Sequence, residues 1–228
     1  LRPWLPVLRK HCRMSGKSRG LDPLGSSTGS AVAVAAGIVP MAVGTDTSHS
    51  ITACAMGNGI CGLKPPAGVL SQEGIIPISK TFDSAGAMAQ NVSDTLKLYS
   101  AMRDEPLPEI KQTPAGKLRI SVNIANANMN PQERRKYLDG VIETLRNNGV
   151  VISEVNQPPT PELPSIMKRE FGTGLEAYLI KSGAKLKTLK QIVEYYEAHP
   201  DTMMKYGCDL LRGALYDSSQ EAYVVKEY

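Results

Sequence analysis

The sequence predicts an α/β fold on three observations. Leu118–Val122 reads as a strand, Asn130-Pro131 opens a segment with Leu138, Val141, Ile142 and Leu145 on one helical face, and Val150–Ile152 reads as a second strand. Strand, helix and strand at this spacing make a βαβ unit with a parallel pair. Earlier in the chain a small-residue helix, Ser27 to Ala36, runs into a short strand at Met41–Val43. Beyond Pro164 the pattern is mainly helical.

Residues 1–23 carry Pro3, Pro6, Gly16, Gly20 and Pro23 among basic residues, which predicts irregular backbone with one short helix at most. Ser27 is the expected N-cap of the small-residue helix, and Gly37 its stop. Gly44 to Gly68 is rich in Gly, Thr and Ser with few charges, and reads as buried loop around a site. Ser93 is the expected cap of a helix that carries Leu96, Tyr99 and Met102 on one face and ends near Asp104. Glu105 to Gly116 holds three prolines and is the clearest linker. Gly149 ends the helix of the βαβ unit, and a proline-rich stretch, Gln157 to Pro164, leads into the helical tail.

Composition narrows the function. With 42% apolar residues in 228, the chain can bury a core. Its longest apolar run, Ala31 to Val43, is interrupted by Gly37 and Pro40 and falls short of the roughly 20 residues a membrane helix needs. No membrane span and no signal peptide are expected. The charge of +4 comes from basic residues scattered among acids, so no nucleic acid partner is expected. Four cysteines without a CxxC pair, and three histidines, give no metal site and fit reduced thiols in a cytoplasmic protein.

Two segments carry chemistry. Gly25-Ser26-Ser27 sits at the mouth of the small-residue helix, and Gly44-Thr-Asp-Thr-Ser-His-Ser50 follows the strand that returns from it. A helix running away and a strand running back bring Ser26 and Ser50, 24 positions apart, to one end. Two hydroxyls beside the positive end of a helix, with loop amides nearby, suit an oxyanion. A serine nucleophile needs a proton acceptor and oxyanion donors, and neither has to be histidine. The plainer reading of paired serines before an alanine-rich helix is capping. A Ser50–His49 dyad is disfavoured, because neighbouring side chains on extended backbone point to opposite faces. Asp46 and Asp83 read as acceptors for loop amides, and Lys64 as a residue that packs or pairs beneath the site. Tyr195, Tyr196, Met203 and Met204 are candidates to line a substrate entrance, but at helical spacing they read rather as core.

The runs GSSTGSAVAVAAG, VGTDTSHSI, GICGLKPPAGVLSQEGIIPIS and FDSAGAMAQNVSDTLKLY, in that order, resemble the signature region of the amidase signature family of serine hydrolases. KREFGTGLEAYL and EYYEAHPDTMMKYGCDLL resemble members acting on peptide amides and similar linear amides, and point away from an amidotransferase component that handles acyl-tRNA. The resemblance implies a mixed β-sheet core flanked by helices, one domain over residues 1–228 that lacks the family's N-terminal part, and a Ser-cisSer-Lys catalytic group. On that pattern Ser50 is the nucleophile, and Ser26, after a cis Gly25-Ser26 peptide, relays a proton. Ser27 supports the turn, and amides from Thr47, Ser48 and His49 to Ser50 form the oxyanion hole. The substrate is a small amide, and no cofactor or metal is implied.

The sequence departs from the family at four places. The family lysine lies well before the bridging serine, and neither Lys10 nor Lys17 occupies its position; Lys17 as a replacement base has the chemistry of a serine-lysine pair without positional support. His49 stands where a glycine is usual, Ala53-Cys54-Ala55 lacks the usual proline, and Gln90 replaces an arginine. The expectation is therefore weak or absent activity unless an N-terminal segment is supplied, with a non-catalytic binding or interaction role as the alternative. A truncated chain also leaves apolar surface that favours association, including homo-oligomers.

Overall fold

A computed structural model describes residues 24–107, 113–123, 131–155 and 163–219, with side chains described outside 131–137 and 217–219. The expected irregular segment 1–23, with Lys10 and Lys17, lies outside these, as does most of the proline-rich stretch 157–164. The described residues divide into two compact units, one within Leu107–Pro161 and the other formed by the sequence before and after it.

The first unit is built on α1 (Thr28–Ala35), β1 (Met41–Asp46), α2 (Thr52–Asn58), β2 (Cys61–Leu63), β3 (Ser84–Ala89) and α3 (Val92–Ala101). Its sheet has the order β1-β3-β2 and is antiparallel at both pairings, with Thr45 opposite Ala85 and Leu63 opposite Ala87. β3 is the middle strand and all six of its residues are buried. Its sequence, SAGAMA, is small because space is short on both sides. A Cβ on Gly86 would lie 2.1 Å from the Leu63 carbonyl oxygen and 2.8 Å from Ile51 Cδ1. Ala31, Ile51, Cys54 and Met88 form the core between the sheet and the first two helices.

This region corrects the expectation of a loop from Gly44 to Gly68, which holds the end of β1, α2 and β2. α2 is short and uncharged, and it stops at Gly59, whose φ of +67° is the left-handed geometry that glycine adopts at a helix end. The cap of α3 is Asn91 rather than Ser93: the Asn91 side chain accepts from Asp94 N–H at 2.9 Å. Ser27 holds the N-cap position of α1, yet its hydroxyl makes no capping bond and turns to β1 instead.

The same unit continues, after the second, with α5 (Leu163–Lys181), α6 (Leu189–Ala198), α7 (Pro200–Met203) and α8 (Asp209–Ser219). Leu175, Leu189, Val193 and Ala214 pack these helices together. α6 begins on a capping box, with Thr188 accepting from Gln191 N–H and the Gln191 side chain accepting from Thr188 N–H. Tyr195 is exposed and stacks on His199, so it lies on the surface where core was expected, while Tyr196, Met203 and Met204 are half-buried.

The second unit holds β4 (Arg119–Asn123), α4 (Pro131–Asn147) and β5 (Val151–Val155). β4 and β5 pair in parallel, as the βαβ reading requires. Gly149, at φ +84°, turns the chain out of α4. Strands and helices with both parallel and antiparallel pairing make this an α/β structure. Among the described residues no helix is long and apolar enough to cross a membrane.

Candidate active site

The two segments singled out in the sequence meet at the start of α1. Ser27 N–H donates to the Ser50 carbonyl at 3.3 Å. The Ser27 hydroxyl accepts from Thr45 N–H at 3.1 Å and donates to Thr45 O at 2.9 Å. Ser26 therefore arrives at the same corner of the fold as Ser50, and the Gly25-Ser26 peptide is cis. The Thr28 hydroxyl donates to the Leu24 carbonyl and closes the turn around it. Gly44 is glycine for want of room, since a Cβ there would stand 2.8 Å from Ser27 Oγ and 2.7 Å from Met88 Cε. Ser26 is exposed and Ser50 half-buried, so both residues lie toward the surface of this corner.

Between β1 and α2 the chain is held from below. Asp46 is buried, and its Oδ2 accepts from Ile51 N–H at 2.7 Å and Thr52 N–H at 3.2 Å. Lys64 Nζ stands 3.0 Å from Asp46 Oδ1 and donates to the Thr47 carbonyl at 2.7 Å. Burial alone would push the Asp46 carboxyl up. The Ile51 amide, the Lys64 ammonium and the Thr52 amide outweigh it and hold the group below its ordinary value. The carboxylate thus gathers both ends of the loop Thr47–Ile51, and Lys64 ties the start of that loop to it. Asp46 and Lys64 are where the sequence reading put them.

Thr47 is buried and donates from its hydroxyl to Asp83 Oδ1 at 2.5 Å. Asp83 Oδ2 accepts from Ile78 N–H at 2.8 Å and Ser79 N–H at 2.9 Å. Ser48 is half-buried and His49 exposed, with the His49 carbonyl accepting from Ala53 N–H at 2.8 Å. Gln90, at a position where the family has arginine, donates from its side chain to the Val34 carbonyl and joins the end of β3 to α1. Glu170 on α5 bonds Ser79 and Thr81, behind Asp83. Nothing in the sequence marked that contact, because its partners stand 91 and 89 residues away. Among the described residues no group of His, Cys, Asp and Glu is arranged to hold a metal ion.

The sequence profile of the family described as Amidase matches residues 17–226. A glutamyl-tRNA(Gln) amidotransferase subunit from Lactobacillus acidophilus is 31% identical over 192 residues, covering 76% of this chain and 40% of that protein. A probable amidase of Arabidopsis thaliana is 30% identical over 200 residues, covering 77% of this chain and 38% of that protein. Among solved structures, the native peptide amidase from Stenotrophomonas maltophilia superposes with a TM-score of 0.70 at 32% identity, over 86% of this chain and 45% of that one. The chain therefore spans less than half the length of these relatives. With the profile matched almost from end to end, and strands and helices that superpose on a solved amidase, the chain belongs to the amidase signature family.

Proposed function

We propose that this chain carries the serine machinery of an amide hydrolase acting on linear, peptide-like amides. The observation that carries the reading is the Ser27 N–H to Ser50 carbonyl bond, which joins the cis Gly25-Ser26 turn to the loop Thr47–Ser50. In this reading the Ser50 hydroxyl oxygen attacks the amide carbon and its proton passes to Ser26. The carbonyl oxygen becomes an oxyanion held by amides of Thr47, Ser48, His49 and Ser50. Collapse breaks the carbon–nitrogen bond, the leaving nitrogen takes a proton returned through Ser26, and an acyl-enzyme on Ser50 remains. Water then attacks the ester carbon, the bond from that carbon to the Ser50 oxygen breaks, and the acyl group leaves as a carboxylic acid while the Ser50 hydroxyl regains its proton.

The proton acceptor behind Ser26 is the open part of this machinery. Lys64 is engaged with Asp46 and the Thr47 carbonyl, which supports a structural role for it. On the pattern of the signature blocks no lysine of this chain stands at the family lysine's position, and we expect its turnover to be weak. The substrate class rests on the likeness to the peptide amidase, which extends over most of the chain. His49, exposed beside Ser50 where the family has glycine, favours a second reading in which the site binds amides without cleaving them.

A serine-directed fluorophosphonate decides between them. Intact mass and peptide mapping should give one adduct on Ser50 that is absent from Ser50→Ala. A folded protein that takes up no adduct would overturn the hydrolase reading in favour of binding.

A further inference from the structure

Residues 71–83 run as a strap along α5 and are fastened to it at several places. Glu170 accepts from the Ser79 hydroxyl, from Thr81 N–H at 3.0 Å and from the Thr81 hydroxyl at 2.6 Å. One and about three turns further along, Gly174 lies so close to Pro77 that a Cβ would meet its Cγ at 3.0 Å, and Lys181 pairs with Glu73 at 2.6 Å. These positions share a face of the helix. The polar fastenings at the two ends differ in kind. The Lys181–Glu73 pair is exposed and weak, whereas Ser79 is fully buried and bonded to a carboxylate, a charge-assisted contact that fixes position narrowly.

The far end of the strap is Asp83, which takes the Ile78 and Ser79 amides on one oxygen and the buried Thr47 hydroxyl on the other. Ser79 is thus held by Glu170 through its side chain and by Asp83 through its amide. A continuous path of hydrogen bonds leads from the middle of α5 to the loop that precedes Ser50. We infer that Glu170 is a positioning residue for the loop Thr47–Ile51, acting through Ser79 and Asp83 on the Thr47 hydroxyl. The inference rests on the hydrolase reading only where it extends to catalysis. Glu170 touches no reacting group; it sets where the oxyanion amides stand.

Hydrogen exchange of the peptide covering Thr47–Ile51 tests the path in the whole chain, with Glu170→Gln, Thr47→Val, Thr47→Ser and the Glu170→Gln/Thr47→Val double variant. Glu170→Gln should speed exchange there about tenfold and leave α8 unchanged, Thr47→Val should match it, and Thr47→Ser should restore the original rate. The double variant should exchange no faster than either single one, because both cut the same path. Unchanged exchange at Thr47–Ile51, a uniform rise over all peptides, or additive effects would each overturn the inference. Fluorophosphonate labelling of the same proteins reads the catalytic extension. Glu170→Gln should lower the maximal rate at Ser50 about tenfold with probe affinity unchanged, less than the ~100-fold cost of losing a direct oxyanion donor. An original chain that does not label overturns the hydrolase reading, while the exchange data still decide for or against the path.

Discussion

Asp46 shows how a single carboxylate organises the candidate site. It is buried, yet it takes two amides at the start of α2 and a lysine that is 23% exposed. Asp46→Asn keeps the shape and removes the charge. We expect it to lower stability at neutral pH by about 2–4 kcal/mol, since Lys64 loses its partner and the amides lose a charged acceptor. The sign of the pH dependence follows from the lowered folded-state value. The contribution is complete above the ordinary carboxylate value of 3.8 and fades as pH falls through the lower folded one. Denaturation of Asp46→Asn and the original chain should therefore converge below about pH 4; a gap that persists unchanged into acid would contradict this account. Asp46, Asp83 and Lys64 were legible in the sequence as supports of the loop, because they stand beside or within its signature blocks. Glu170 was not, because its meaning depends on a partner far along the chain.

Among the elements, β3 is the most constrained and was the least legible. SAGAMA shows neither alternation nor β-branched residues, the two signals by which a strand announces itself. It is small because α-helices and neighbouring strands close on it from both faces. Gly86→Ala should cost about 2–3 kcal/mol or more, as the new methyl meets the Leu63 carbonyl oxygen at 2.1 Å before anything shifts. Urea unfolding should show a lower midpoint with an unchanged slope, and an unaltered midpoint would mean that β2 moves aside freely. α4, by contrast, was legible from end to end. Pro131 opens it, Gly149 follows it, and its apolar residues keep helical spacing. The loop expected from Gly44 to Gly68 failed for the same reason as β3: glycine and small residues hid a short helix and two strand edges that packing imposes.

At the scale of the whole chain, the proline-rich linker read at Glu105–Gly116 contains the boundary at which the second unit begins. Among its described residues that unit offers two strands of five residues and one α-helix, and most residues of both strands are exposed. A unit of 55 residues whose strands are mostly exposed buries little apolar surface and is marginal on its own. A fragment of residues 107–161 should therefore melt without a cooperative transition by circular dichroism, and a sharp two-state melt would show it to be an autonomous domain. The first unit has a different exposure. Among the described residues β1 lies at the margin of its sheet, where unpaired main-chain groups can take a further strand. Two serines at the start of α1, its N-cap Ser27 and Ser30, bond to those groups. Ser27 meets both the N–H and the C=O of Thr45, and the Ser30 hydroxyl donates to the Val43 carbonyl at 2.8 Å. The start of the helix thus occupies, hydroxyl by hydroxyl, main-chain groups that an added strand would need, so serines that draw the eye as chemistry also cap a row of backbone donors and acceptors.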